Sequence, residues 1–185
     1  MPILLSKIDT VVLPSHEVFC LYSREEREQR DLAEAERLAS ADGVGFAWSA
    51  VGVRVATEVS KALVSVETWS GMPLLLRDQG PFDFAWEGVV DFPDGRWCIS
   101  ESLDSLTRLG VELPSGPGRC GVRVVAYNHN DVLDRYEMAQ AGTDEEFAAM
   151  LAELKRLDPE TAERYQIQLW PVRRQRGTAP PDERS

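Results

Sequence analysis

The run Arg164-Tyr165-Gln166-Ile167-Gln168-Leu169-Trp170 alternates apolar and polar side chains and ends at Pro171. Because successive side chains of a strand point to opposite faces of a sheet, Tyr165, Ile167 and Leu169 share one face. This period predicts a β-strand with one face in a hydrophobic core. The proline, which cannot donate to a sheet ladder, closes the strand. It is the last regular element expected in the chain.

Seven earlier runs of β-branched, aromatic or alternating residues also predict strands. They are residues 10–13, 16–22, 51–57, 63–69, 84–91, 96–99 and 121–127. Pro93-Asp94-Gly95 separates the fifth and sixth of these runs and predicts a hairpin turn, with Gly95 at a positive φ. The segment 103–113 has no clear period.

A helix is expected near residues 23–39, where Ser23 and Glu26 have the spacing of a capping box. Few apolar side chains follow, which is typical of a helix on the protein surface. A second helix is expected near residues 143–157. There Thr143 and Glu146 form a second candidate capping box, and an amphipathic stripe predicts that the helix docks on the body of the protein. The stripe consists of Phe147, Met150, Leu151, Leu154 and Leu157.

About eight strands separated by turn signals, with only two helices, predict a mainly β protein. The expected architecture is an antiparallel β-sandwich with two peripheral α-helices. Residues 1–172 are expected to form this single domain. Residues 173–185 are expected to be a disordered polar tail, because they hold two prolines and have no hydrophobic period.

Charge and composition exclude several functional classes. The 185 residues include 31 acidic and 20 basic side chains, giving a net charge of -11. A nucleic-acid binder is disfavoured, because phosphate contacts need a basic face. No apolar run approaches the roughly 20 residues that a membrane span needs. Three widely spaced cysteines without an export signal predict reduced thiols in the cytoplasm. Neither a cofactor motif nor a metal-ligand spacing is present.

The order of the elements resembles that of a known family. The segments that carry the resemblance are residues 18–22, 42–46, 51–57, 63–69, 86–90, 121–125 and 165–171. Over roughly residues 9–171 the chain resembles the small β-sandwich proteins grouped with the competence nuclease inhibitor of Bacillus, many of them uncharacterised proteins of actinobacteria. The closing Tyr-x-Ile-Gln-Leu-Trp-Pro stretch is its most specific element. The resemblance implies a non-enzymatic inhibitor that binds a nuclease.

Two groups of carboxylates are candidates for contact with such a partner. They are Asp131, Asp134 and Glu137, in the loop expected after the strand at 121–127, and Glu25, Glu28 and Asp31, on the helix near 23–39. Carboxylates can mimic nucleic-acid phosphates and steer a protein onto a basic cleft. Trp170 lies on the strand face opposite Ile167, and if exposed it would be a candidate hot spot.

The sequence therefore predicts an acidic binding protein that neutralises a protein partner, such as a nuclease or a nuclease-type toxin, by covering its basic cleft. No catalytic residue is assigned. Three alternatives stay open. Exposed tryptophans could line the groove of a small-molecule or carbohydrate-binding sandwich. His129 and Asp131 could belong to a hydrolase or metal-dependent enzyme. A large exposed apolar patch would instead mark a self-associating structural protein.

Overall fold

The computed structural model describes residues 1–14, 16–23, 28–74, 80–102, 105–156, 158 and 160–172. Within these residues the chain forms ten strands, arranged in two five-stranded sheets, and three helices. The strands are β1 (Leu4–Val12), β2 (Val18–Tyr22), β3 (Val44–Phe46), β4 (Ala50–Arg54), β5 (Ala62–Trp69), β6 (Phe84–Phe92), β7 (Arg96–Ser102), β8 (Ser105–Glu112), β9 (Gly118–Tyr127) and β10 (Arg164–Pro171). The helices are α1 (Glu28–Asp42), α2 (His129–Gln140) and α3 (Asp144–Leu154).

Sheet A has the strand order β1-β5-β10-β9-β6, and sheet B has the order β3-β4-β2-β7-β8. The pairings are antiparallel except that between β5 and β10, which run parallel with Val66 opposite Ile167. The mainly β fold with peripheral helices is therefore confirmed. β5 and β10 can pair in parallel because everything from β6 to α3 lies between them in the chain, and parallel neighbours need a long connection.

The hydrophobic core fills the space between the two sheets. On β10, Tyr165, Ile167 and Leu169 are each at most 1% exposed, as their alternation predicts. Phe19 and Trp97 face them from sheet B and are equally buried. Burying side chains of this size supplies the main favourable term in folding such a sandwich.

The middle of the outer face of sheet A is buried through polar contacts. Arg123, which is 4% exposed, donates to Glu87 at 2.7 Å, to the Pro73 carbonyl at 2.9 Å and to the Gln168 side chain at 3.1 Å. Gln168 donates in turn to Glu67 at 3.2 Å. Buried polar groups of this kind must find partners, and here they find them across four neighbouring strands. Pro73 precedes β6 in sequence and lies over the middle of the sheet.

The turn at Gly95 connects the two sheets. Gly95 has a φ of 69°, and its amide donates to the Phe92 carbonyl at 3.0 Å, as expected for a tight turn. The predicted hairpin is nevertheless wrong, because β6 pairs with β9 in sheet A whereas β7 pairs with β2 and β8 in sheet B. The segment without a clear period contains strand β8.

Helix α1 packs on the outer face of sheet B. Its small apolar side chains Ala35 and Ala39 are fully buried there. Gly45 of β3 and Gly52 of β4 lie opposite each other and leave room for the helix backbone. A Cβ on Gly52 would lie only 2.5 Å from the carbonyl oxygen of Ala35. Two glycines therefore set how closely the helix approaches the sheet.

The helices agree in part with the sequence. The Thr143–Glu146 capping box is present at the start of α3, and Met150 and Leu154 of its stripe are buried. A third helix, α2, occupies a segment that the sequence predicts as a loop. Glu26 of the predicted Ser23–Glu26 capping box, the last stripe residue Leu157 and the predicted tail lie outside the described residues. Over the part of the chain that the structure describes, no helix is long and apolar enough to cross a membrane.

Candidate protein-binding surface

Helices α2 and α3 form a hairpin between β9 and β10 at one end of the sandwich. Val132 of α2 packs with Met150 and Leu154 of α3 against Ala56, which follows β4. These four residues are at most 9% exposed. The tilted rings of Tyr136 and Phe147, with centroids 5.9 Å apart, add a second contact between the helices. The apolar sides of both helices thus pack against each other and against the sandwich, and their polar sides face solvent.

The first predicted group of carboxylates lies on the solvent side of α2. Asp131, Asp134 and Glu137 are all exposed. They are three residues apart, so they share one side of the helix and span about 9 Å along its axis. The sequence identifies these residues but places them on a loop. The structure corrects this, because a helix holds the three carboxylates in a fixed row.

More acidic residues follow at the start of α3, the other helix of the hairpin. Asp144 and Glu145 are exposed in its first turn, where acidic residues also suit the helix dipole. Glu146 is exposed as well, but its carboxylate accepts hydrogen bonds from the Thr143 amide at 2.7 Å and hydroxyl at 3.1 Å. These hydrogen bonds, led by that from the amide, lower the pKa of Glu146. This carboxylate therefore has a structural role.

An apolar side chain stands beside the acidic row. Met138 follows Glu137 on α2 and is 75% exposed. Basic side chains are sparse here: from residue 129 to residue 160 the sequence has nine acidic and three basic residues. One of the three, Arg135, is already bound to Glu153 at 3.1 Å and to the Thr161 carbonyl at 3.0 Å. We call the set formed by Asp131, Asp134, Glu137, Met138, Asp144 and Glu145 the acidic hairpin surface.

The second predicted group is on a different element. Asp31 of α1 accepts a hydrogen bond of 2.6 Å from the Ser49 hydroxyl and so fastens the helix to sheet B. Farther along α1, Glu34 is bound by Arg37 at 2.8 and 2.9 Å. Glu25 and the side chain of Glu28 lie outside the described part of the chain. Since α1 packs on sheet B and α2 stands at the end of the sandwich, the two groups belong to separate surfaces.

Trp170 is buried rather than exposed. It is 8% exposed, and its indole lies so close to Gly121 that a Cβ there would overlap it. The guanidinium of Arg123 is 5.5 Å from the ring centroid. The strand face opposite Ile167 is therefore covered. The alternating pattern shows which face Trp170 is on, but it does not show whether that face is exposed. We therefore leave it out of the candidate surface.

His129, the centre of the enzyme alternative, anchors the hairpin to the sandwich. Its Nδ1 lies 2.7 Å from Glu163 Oε1 and 2.9 Å from the Tyr165 hydroxyl. Glu163 is fully buried and also accepts from the Ala56 amide at 2.9 Å. The Tyr165 hydroxyl is 2.8 Å from the Arg54 carbonyl. The cluster joins the start of α2 to β10 and to the end of β4.

This cluster is a buried hydrogen-bond network with a structural role. Burial and the neighbouring Glu163 carboxylate raise the pKa of Tyr165 well above its usual value, so this hydroxyl stays protonated at neutral pH. No group of three or more His, Cys, Asp and Glu side chains could hold a metal ion within the described ranges. No local pattern indicates Glu163 or Tyr165 as partners of His129, because more than thirty positions separate them from it.

Comparison with known proteins supports a resemblance at the level of fold. No protein-family model matches the chain, and no curated protein matches it significantly. Two solved structures are similar, each at 15% sequence identity. One is ComJ from Bacillus subtilis, described as an inhibitor of the DNA degrading activity of NucA, with a TM-score of 0.54 over 93% of this chain and 99% of that one. The other is the product of crocagin biosynthetic gene J, with a TM-score of 0.53 over 94% and 99%. At this identity the likeness shows a shared fold.

Proposed function

We propose that this protein binds and neutralises a protein partner, of which a nuclease or nuclease-type toxin is the expected class, without chemistry of its own. The observation that carries the proposal is the acidic hairpin surface on a sandwich that has the fold of ComJ, a nuclease inhibitor. A fold alone does not determine a function, so the site must supply the argument.

The charge of the surface fits a basic cleft. A nuclease must hold the phosphates of its substrate with positive side chains, and a rigid row of carboxylates presents the same sign of charge as those phosphates. Asp131, Asp134 and Glu137 stand on a helix that is itself packed against the sandwich. Their arrangement is therefore set before binding, which lowers the entropy lost on association.

The mechanism is steric and electrostatic. Long-range attraction steers the partner toward the hairpin and raises the association rate, and the bound sandwich then blocks the path of nucleic acid. Met138 supplies an exposed apolar side chain next to the acidic row. Methionine adapts to irregular surfaces, so this residue is expected to lie near the centre of the contact and to limit dissociation.

Affinity capture from the native host tests the proposal. Tagged full-length protein is used as bait at low and at high salt, and the captured protein is identified and assayed for DNA and RNA degradation. The bait is compared with the variant Asp131→Asn, Asp134→Asn, Glu137→Gln. We expect one basic nuclease that is retained at low salt and lost at high salt, because screening shortens the reach of surface charges. The variant should bind it with an association rate lower by about tenfold or more.

A matched control separates local from overall charge. The variant Asp9→Asn, Asp42→Asn, Glu112→Gln removes three carboxylates from exposed positions on β1, α1 and β8 and changes the net charge by the same amount. It should bind as the unaltered protein does. Equal losses in the two variants would leave only a general charge effect and would refute the assignment of the hairpin. A captured protein that keeps full nuclease activity would refute neutralisation.

A further inference from the structure

Strand β1 forms one edge of sheet A. It is nine residues long, and within the part of the chain that the structure describes its only strand neighbour is β5. The pairing with β5 shifts between Leu4 and Ser6 and is regular from Ser6 to Val12. An edge strand of this length presents a row of backbone amides and carbonyls on its outer side, and such a row can pair with a strand of another chain.

The backbone of β1 directs alternate residues to this outer side. The Leu63 amide of β5 donates to the Glu163 carbonyl at 2.9 Å, in the direction of β10. The N–H and C=O groups of one strand residue point to the same side, so Leu63 does not bond to Val11, the residue opposite it in β1. The backbone groups of Val11 therefore point away from β5. Those of Lys7, four residues earlier in the regular run, do the same.

The sequence of β1 is complementary to its own reverse. We consider two copies of the strand that run antiparallel, with Ile8 opposite Ile8 of the second copy. Lys7 then lies opposite Asp9 of the second copy, and Ser6 lies opposite Thr10. Side chains directly opposite each other in such a pair are about 4.5–5.5 Å apart, so opposite charges stabilise the pairing.

The two charged side chains also select this pairing over its neighbours. A slip of two residues, which keeps every side chain on its own face, places Lys7 opposite Lys7 or Asp9 opposite Asp9. Charged residues on an edge strand ordinarily oppose pairing, whereas here they oppose the slipped pairings and favour one. The Asp9 carboxylate already interacts within its own chain, with Lys7 at 3.8 Å among its contacts. Lys7 of the second copy would add to these contacts.

Apolar side chains at the two ends of β1 would be covered in the same contact. Leu5 and Val11 are 45% and 37% exposed and lie on either side of Ile8, so Leu5 of each copy comes near Val11 of the other. Ile8 is partly buried against the hydrophobic core, and its counterpart would extend that core across the junction.

From this geometry we propose that two copies of the chain associate through β1. The strands pair antiparallel about a two-fold axis at Ile8 and join the two five-stranded A sheets into one sheet of ten strands. A contact that uses the same surface on both subunits is the commonest kind in homo-oligomers. It includes no residue of the acidic hairpin surface and is therefore independent of the proposed function.

Sedimentation equilibrium of the full chain tests this proposal. The protein is measured at about 1–500 µM, a range that includes the Kd of weak specific contacts. We expect a concentration-dependent change from monomer to dimer. A chain that is monomeric at every concentration would overturn the proposal, and assemblies larger than a dimer would contradict a closed two-fold contact.

Charge exchange locates the contact. Lys7→Asp makes both charged positions of β1 acidic, and Asp9→Lys makes both basic. These side chains are 46% and 72% exposed, so both variants are expected to fold. Each variant alone should dimerise more weakly by about tenfold or more, because attractive pairs become repulsive, and an equal mixture of the two should form a mixed dimer. Glu58→Lys, at an exposed position after β4, changes the net charge as Asp9→Lys does and should dimerise as the unaltered protein does. Equal weakening in this control, or a mixture without mixed dimers, would contradict pairing through β1.

Hydrogen exchange followed by NMR gives a second measurement on the unaltered protein. The amides of Lys7 and Val11 should exchange more slowly as the concentration rises, since they become hydrogen-bonded between the two copies. The amides of β6, at the other edge of sheet A, should exchange at a constant rate. Protection that appears at β6 and not at β1 would place the dimer contact elsewhere and overturn the proposal.

Discussion

Replacing Gly52 with alanine should loosen the contact between α1 and sheet B. The added Cβ would lie 2.5 Å from the Ala35 carbonyl oxygen and 3.0 Å from Ala39 Cβ. The nearer atom belongs to the helix backbone, so no rotation of a side chain can relieve the overlap. Gly52 does not have a positive φ, and the substitution therefore adds no strain in the strand itself. The expected effect comes from packing alone.

The magnitude follows from two opposing terms. Overpacking a well-packed contact costs about 1–3 kcal/mol. Replacing glycine by alanine also reduces the entropy of the unfolded chain, which offsets about 0.4–1 kcal/mol of that cost. The Gly52→Ala variant should therefore lose about 1–2 kcal/mol of the free energy of unfolding. For a chain of this length that loss corresponds to a fall in Tm of about 2–8 °C.

Thermal and urea unfolding followed by circular dichroism measure this loss. Gly71→Ala is the matched control, because a Cβ on Gly71 meets no atom within 4 Å and its φ is not positive. The control should be as stable as the unaltered protein or slightly more stable. If Gly52→Ala proved equally stable, the close seating of α1 on the Gly45–Gly52 pair would be wrong.

Two further predictions concern the start of α3 and the thiols. Thr143→Ala should destabilise the protein by about 1 kcal/mol through loss of the helix cap, as measured by urea unfolding. NMR titration should show Glu146 ionising below its usual range, so its contribution to stability is present at neutral pH and is lost as the pH falls through that lowered pKa. Burial raises the pKa of Cys120 to about 11 and that of Cys20 well above its usual value. Neither thiol should react with Ellman's reagent at pH 8 until the protein is unfolded; rapid labelling of the folded chain would contradict their burial.

Local sequence patterns predicted the elements whose structure depends on neighbours in the chain. The alternation of Tyr165, Ile167 and Leu169 gave both the strand and its buried face. The Thr143–Glu146 spacing gave the start of α3, because a capping box is formed by residues three positions apart. The positive φ at Gly95 was likewise a local property.

Strand pairing and burial that depend on distant segments could not be predicted from local patterns. Nothing near Pro93-Asp94-Gly95 indicates that the strands on either side belong to different sheets. The parallel pairing of β5 with β10 and the burial of Trp170 also depend on contacts between remote parts of the chain. Helix α2 was missed for another reason. It starts after Asn128, a residue type that favours both helix N-caps and turns, so the sequence leaves the two interpretations open; in the structure Asn128 has a φ of 60° and its side chain makes no cap hydrogen bond.

The sequence identified residues of the candidate site but not the helix that carries them. Asp131, Asp134 and Glu137 were identified as a group, and the structure places them on one helix. A signal for that helix was present, since Val132, Tyr136 and Ala139 follow helical spacing.

Inhibition of the captured nuclease by purified protein is the most direct test of the proposed function. Cleavage of DNA or RNA by the partner would be measured against increasing concentrations of the unaltered protein, the hairpin variant Asp131→Asn, Asp134→Asn, Glu137→Gln and the matched control variant. We expect the unaltered protein and the control to abolish cleavage near one equivalent at low salt. The hairpin variant should need a concentration at least about tenfold higher for the same inhibition. Undiminished cleavage with the unaltered protein in excess would contradict neutralisation, and equal inhibition by all three proteins would contradict the role of the acidic hairpin surface.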